Sequence, residues 1–161
     1  MEQPSRAGSG LGRRDLLRLA ALVPAAAALS TACGTGEQQA DPLEALVRSA
    51  ESDAALARAV ARAHSALAGR AGTVASVRTE HAKALRQERD RVNPPDPDEP
   101  KPPPPRVRAP ASQAQASSEM SGRLRDAQGR AAALVPGLPQ YRAGLVGSVS
   151  ASCAGLLEVL G

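Results

Sequence analysis

Apolar residues recur every three or four positions along two stretches of the chain, one on each side of a proline-rich segment. This spacing is typical of amphipathic helices, because it places the apolar side chains on one helix face. In Asp41-Pro42-Leu43-Glu44, aspartate caps a helix, proline takes its first position, and Glu44 completes a capping box. The sequence therefore predicts a helix over about 42–68. Its apolar face comprises Leu43, Leu46, Val47, Ala50, Ala54, Ala57, Val60, His64 and Leu67.

Gly69 and Gly72 are predicted to end this helix, and a second follows over about 73–92. Pro94 disfavours helical backbone at Asn93 and so ends it. Its apolar face comprises Val74, Val77, His81 and Leu85.

The stretch after the proline-rich segment also predicts two amphipathic helices joined by a turn. Ser112-x-x-Gln115 resembles a capping box and starts a helix over about 112–135. Pro136-Gly137 then turns the chain, and Pro139 suits the start of a last helix over about 139–160. The predicted inward faces comprise Ala116, Met120, Leu124, Ala127, Ala131 and Leu134 on the third helix, and Tyr141, Leu145, Val149, Ser152 and Leu156 on the fourth.

The segment 94–110 contains nine prolines, which favour extended polyproline II structure over a packed core. We therefore predict an all-α fold for 41–161, an antiparallel four-helix bundle with a long crossover between its second and third helices. A membrane span by the last helix is the alternative. The uncharged stretch 143–157 is only fifteen residues long, so a core helix is the better interpretation.

The N-terminal 32 residues have the order of an export signal. A basic start leads into the alanine-rich stretch 19–29, and small residues follow. The run Arg13-Arg14-Asp15-Leu16-Leu17 resembles the twin-arginine pattern, which a receptor recognises as an address.

Cys33 follows the small residues and resembles the modified cysteine of a bacterial lipobox. That resemblance implies diacylglycerol on its thiol, cleavage just before it, and the polar tether 33–40. Ser30 occupies the position where a large aliphatic residue is usual, and Leu29 lies one step earlier. In the alternative, Ser30-x-Ala32 is an ordinary cleavage site and the mature protein is soluble. An unacylated Cys33 could then pair with Cys153 in an oxidising envelope.

The composition argues against a nucleic-acid binder. The net charge of +4 falls to about +2 without residues 1–32, and charges of both signs alternate along the helices. With no Phe or Trp and one Tyr, the chain lacks aromatic groups on which bases stack.

Few residues are candidates for chemistry. His64 and His81 both lie on apolar faces and are candidates for binding a metal or haem. A turn near residue 70 would place the two rings about four residues apart along the helix axes, or roughly 6 Å. Two histidines that are hydrogen-bonded within the bundle are therefore the simpler interpretation. Glu51 and Asp53 are expected on a solvated mixed-charge face. Cys153 is expected to be a small core residue.

Three short motifs carry a resemblance to ferritin-like lipoproteins of unassigned function from actinobacteria: Asp41-Pro42-Leu43, Glu80-His81-Ala82 and Ser150-Ala151-Ser152-Cys153-Ala154. The resemblance implies a ferritin-like helix order. Di-iron members of the wider group need Glu-x-x-His on two helices, and this chain has no such motif, which excludes that centre.

The leading hypothesis is a non-catalytic lipoprotein at the extracytoplasmic face of the membrane. Lipid on Cys33 would anchor it, and its bundle would bind or scaffold an unknown protein or small molecule without a cofactor. The alternatives are a metal- or haem-binding bundle that uses His64 and His81, a secreted soluble helical protein, and an envelope enzyme with unrecognised residues.

Overall fold

The computed structural model describes residues 40–161. The predicted signal, with Arg13, Arg14, Leu16 and Leu17, lies outside the described residues, as do Cys33 and nearly all of the tether.

Four α-helices make up most of the described residues, and no strand occurs among them. They are α1 (Pro42–Ala63), α2 (Ala68–Val92), α3 (Gln113–Leu134) and α4 (Gln140–Leu160). Short 3₁₀ turns at Ser65–Leu67 and Val135–Gly137 join α1 to α2 and α3 to α4. The prediction of an all-α fold for 41–161 is confirmed.

Two of the helix starts carry the side-chain caps that the sequence indicates. The Asp41 carboxylate accepts a hydrogen bond from the Leu43 amide at 2.9 Å, with Pro42 in the first turn. The Ser112 hydroxyl accepts one from the Gln115 amide at 3.2 Å. Each cap satisfies an amide that lacks a partner within the helix.

The first turn lies earlier than predicted. α1 ends at Ala63, and α2 begins at Ala68, so Gly69 and Gly72 lie inside α2 rather than at a break. Leu67 is buried at this turn, and His64 donates from Nε2 to the Pro110 carbonyl at 2.9 Å. Tertiary contacts therefore hold the turn at a position where the sequence has neither glycine nor proline.

The core is built from the predicted apolar faces and consists of leucine, valine and alanine with one methionine and one cysteine. Every predicted apolar residue of α1 from Leu43 to Val60 is buried, as is the α3 face from Ala116 to Ala131. On α4 the prediction was wrong for Tyr141, which is 69 % exposed. The buried face of α4 comprises Val146, Val149, Cys153, Leu156 and Leu160.

α1 packs most extensively against α2 and α3 against α4, while α1 also contacts α3 and α2 contacts α4. These contacts are consistent with the predicted bundle. By length and mean hydropathy α4 also suits a membrane span, but its buried face packs into the shared core.

Candidate functional site

A buried polar cluster lies inside the apolar core, between α1, α2 and α4. Its centre is Arg78, which is 1 % exposed and contacts side chains from all three helices. Its partners are Asp53 on α1, His81 on α2 and Cys153 on α4. Among the described residues no buried side-chain nitrogen or oxygen lacks a hydrogen-bond partner, so the cluster is internally satisfied.

Arg78 divides its donors among these partners. Nε and Nη2 donate to Oδ2 of Asp53 at 3.2 and 2.8 Å. Nη1 points to Nδ1 of His81 at 3.1 Å and to Sγ of Cys153 at 3.4 Å. Because a guanidinium only donates, Nδ1 of His81 accepts this bond and its proton is on Nε2.

The surroundings keep His81 and Cys153 neutral. Burial, helped by the positive charge of Arg78, lowers the pKa of His81 to about 4. Burial raises the pKa of the Cys153 thiol despite the neighbouring guanidinium. A buried, protonated thiol is a poor nucleophile. The geometry therefore favours a structural role for this cluster.

Asp53 corrects the prediction of a solvated mixed-charge face. Its side chain is buried with Arg78, and burial raises its pKa against the opposing effect of that guanidinium. A second arginine, Arg123 on α3, has Nη1 4.0 Å from Oδ1 of Asp53 and donates to the Ser52 hydroxyl at 3.0 Å. Glu51, by contrast, forms a more exposed ion pair with Arg86.

The two histidines do not meet. His64 lies at the α1–α2 turn, whereas His81 lies thirteen residues into α2 from Ala68, or roughly 20 Å along the helix axis. The predicted offset of about 6 Å was wrong because the turn lies at 64–67. Moreover, within residues 40–161 no three or more His, Cys, Asp or Glu side chains are placed so that they could hold a metal ion together. The structure therefore does not bring His64 and His81 into one site.

A second polar network joins the helix ends next to the tether. Arg142 at the start of α4 donates to Asp41 at 2.7 Å and to Glu88 at 3.1 Å, and Asn93 also donates to Asp41 at 2.8 Å. Arg91 binds both carboxylate oxygens of Glu88. The start of α1, the end of α2 and the start of α4 are thereby tied together.

The charges in this network hold its carboxylates ionised. Partial burial acts to raise the pKa of Asp41, but the hydrogen bonds from Arg142 and the Leu43 amide outweigh it and leave the pKa lowered. Hydrogen bonds from Arg91 lower the pKa of Glu88. Nearby, Arg89 pairs with Glu44 and with Asp90, which adds a further link between α1 and α2.

No protein family, curated protein or solved structure matches this chain. Sequence reasoning missed Arg78, the centre of the buried cluster, although its position four residues after Val74 on the predicted inward face was a usable signal.

Proposed function

We propose that this chain is an exported protein that lipid on Cys33 holds at the extracytoplasmic face of the membrane. Its helical part binds or scaffolds a partner and does not catalyse a reaction. The twin-arginine-like run, the alanine-rich stretch, Cys33 and the polar tether follow one another in the order that such a protein needs.

The observation that carries this proposal is the position of Asp41. It follows Cys33 by only eight residues, and Leu43, Asn93 and Arg142 all donate hydrogen bonds to it. An anchor on Cys33 would therefore pull on a point where three helices are joined, rather than on a single helix end. This arrangement suits a tethered module that stays folded under load.

A binding or scaffold role is supported by how the buried polar groups are used. Arg78 is occupied by Asp53, and His81 and Cys153 are neutral groups packed against that ion pair. These groups fasten helices together and are not free to act on a substrate. Because these polar groups are buried and paired, the helical part is a stable frame, and a partner would contact its surface.

The frame that we propose is an antiparallel four-helix bundle. Two ion pairs join α1 to α2, Glu44 with Arg89 and Asp53 with Arg78. Residue numbers therefore rise along α1 as they fall along α2. Between α2 and α4, Arg70 contacts Leu160, Arg78 contacts Cys153 and Glu88 contacts Arg142. That order also runs in opposite directions. The segment 93–112 then connects opposite ends of the bundle, as in the ferritin-like order that the sequence resembles.

The decisive experiment is mass spectrometry of the native N-terminus, combined with membrane fractionation. Wild-type protein is expected in the membrane fraction, starting at an acylated Cys33, and Cys33→Ala is expected to lose both properties. Cys153→Ala is the matched control, because it removes a cysteine that is buried in the core. A soluble, unacylated wild-type protein that begins at Cys33 would overturn the anchor and favour the secreted alternative.

Export is tested separately by Arg13→Lys together with Arg14→Lys. This change keeps both positive charges while removing the paired guanidinium groups of the twin-arginine pattern. We expect the unprocessed chain to accumulate inside the cell. Normal export of this variant would show that the arginines do not act as the predicted address.

A further inference from the structure

Four arginine side chains line one cleft between α1 and the proline-rich segment. The cleft has a volume of about 550 Å³. Arg58 and Arg62 form its α1 wall, and Arg106 and Arg108 form the opposite wall. No acidic residue of the described part of the chain lines it.

The fold fixes the segment that carries the second wall. Val107 and Ala109 are half-buried and pack against the core, whereas Arg106 and Arg108 are exposed. Just beyond them, the Pro110 carbonyl accepts the hydrogen bond from His64. The two walls are therefore held next to one another by contacts independent of the arginines.

The charge of this cleft is not neutralised within the described part of the chain. Ion pairs engage eight other arginines there: Arg48, Arg78, Arg86, Arg89, Arg91, Arg123, Arg130 and Arg142. None of the described ion pairs includes a cleft arginine; Arg58 donates only to the neutral Thr79 hydroxyl, at 3.1 Å. Four like charges around one cleft repel one another, and a bound anion would remove that cost.

We propose that this four-arginine cleft binds a phosphorylated anion. The planar guanidinium group donates two parallel hydrogen bonds to phosphate oxygens, and it stays charged at every physiological pH. Arginines on two walls can contact a phosphoryl group from both sides. This inference goes beyond the proposed membrane attachment, because the cleft needs no lipid on Cys33 to bind an anion.

Calorimetric titration of the purified full-length chain in detergent with sodium tripolyphosphate tests the proposal. We expect saturable binding to one site. Arg106→Gln/Arg108→Gln should weaken it by about tenfold or more, because two charge-assisted contacts are lost. Arg58→Gln/Arg62→Gln should do the same from the other wall.

The matched control is Arg125→Gln/Lys83→Gln, which removes two positive charges from exposed sites outside the cleft. It should change the affinity by less than about twofold if the cleft geometry matters. A loss as large as that of the cleft variants would show binding to overall charge and would overturn the proposal. An absence of binding by both tripolyphosphate and the vesicles described next would also overturn it.

Vesicles distinguish a lipid phosphate from a soluble one. With Cys33→Ala, which cannot be acylated, co-sedimentation with phosphatidylglycerol vesicles but not phosphatidylcholine vesicles would indicate an anionic headgroup, provided that Arg106→Gln/Arg108→Gln abolishes it. Binding of tripolyphosphate alone would indicate a soluble phosphorylated anion. Without ligand, the cleft variants should unfold cooperatively near the Tm of the wild type, which shows that they are folded. Tripolyphosphate should raise the Tm of the wild type but not of the cleft variants, because those variants have lost the site.

Discussion

Two nitrogens of Arg78 donate to the same carboxylate oxygen of Asp53, and the side chains of this pair are only 2 % and 7 % exposed. The pair fastens α1 to α2 within an otherwise apolar core. Each charge depends on the other, because burial of a single unpaired charge costs several kcal/mol.

Arg78→Met should therefore lower the free energy of unfolding by about 3–5 kcal/mol, since it leaves Asp53 buried without its partner. Asp53→Leu/Arg78→Met should recover much of this loss, because it removes both charges. Urea unfolding followed by circular dichroism measures both values. The exposed pair of Arg48 and Glu44 gives the control, with Arg48→Met costing less than about 1 kcal/mol. A double variant as unstable as Arg78→Met would contradict this account.

Stability should fall as the pH falls from 7 to 5, because of His81. Its pKa is about 4 in the folded protein, while the unfolded chain takes up this proton near pH 6.5. The unfolded state thus binds more protons in this window, and acid favours it. The expected loss by pH 5 is about 2 kcal/mol. Urea midpoints across this range measure it.

His81→Gln removes the titrating ring and should flatten that pH dependence. The variant is compared with the wild type over pH 5–7, above the range where the carboxylates of Asp41 and Glu88 take up protons. Asp53, whose pKa burial raises, acts in the opposite direction to His81 and is present in both proteins. An unchanged slope in His81→Gln would assign the effect to another group.

Arg142→Ala should loosen the end of the bundle next to the tether. Arg142 is 12 % exposed and bridges Asp41 to Glu88, so its loss should cost about 1–3 kcal/mol. Hydrogen exchange should quicken at the first amides of α1, including that of Leu43. Arg91→Ala is the matched control: its side chain is 65 % exposed, and its removal should have a smaller effect. Equal effects would mean that Arg142 is not the bridge.

Gly72→Ala should stabilise the protein, because Gly72 lies inside α2 with open space around the position of a Cβ atom. Alanine in an exposed helix interior is worth about 0.5–1 kcal/mol over glycine. Gly161→Ala, at the C-cap of α4 and outside the helix interior, should not gain this amount. Thermal unfolding of the two variants decides the point. A destabilised Gly72→Ala would indicate that the chain turns at this glycine, as the sequence alone predicts.

The helices themselves were predictable from local signals. The caps at Asp41 and Ser112 and the apolar stripes of α1 and α3 depend on residues within a few positions of one another. The turn at 64–67 could not be predicted in this way, because the hydrogen bond that holds it joins His64 to Pro110, which is 46 positions away. Low helix propensity at Gly69 predicts a break there, but tertiary contacts place the turn at 64–67 and Gly69 inside α2.

The buried cluster shows a different limit of sequence reasoning. Because charged residues are usually exposed, the sequence predicts a solvated Asp53, although its helix neighbours Ala50 and Ala57 lie on the predicted apolar stripe. Arg78 lies on the corresponding stripe of α2. Opposite charges on two facing apolar stripes would have indicated an internal ion pair. The arginine cleft required the fold, because its walls come from residues more than forty positions apart.

The exposed segment 93–106 also makes the chain divisible. It separates α1 and α2 from α3 and α4, and side chains of Asp41, Ser52, Arg78 and Glu88 bind partners across that division. One backbone cut among its prolines would therefore leave two helical fragments held together by the shared core. We therefore expect that the covalent connection between the two helix pairs is not needed to hold them together. Two separately produced halves should reassemble into the same four-helix structure.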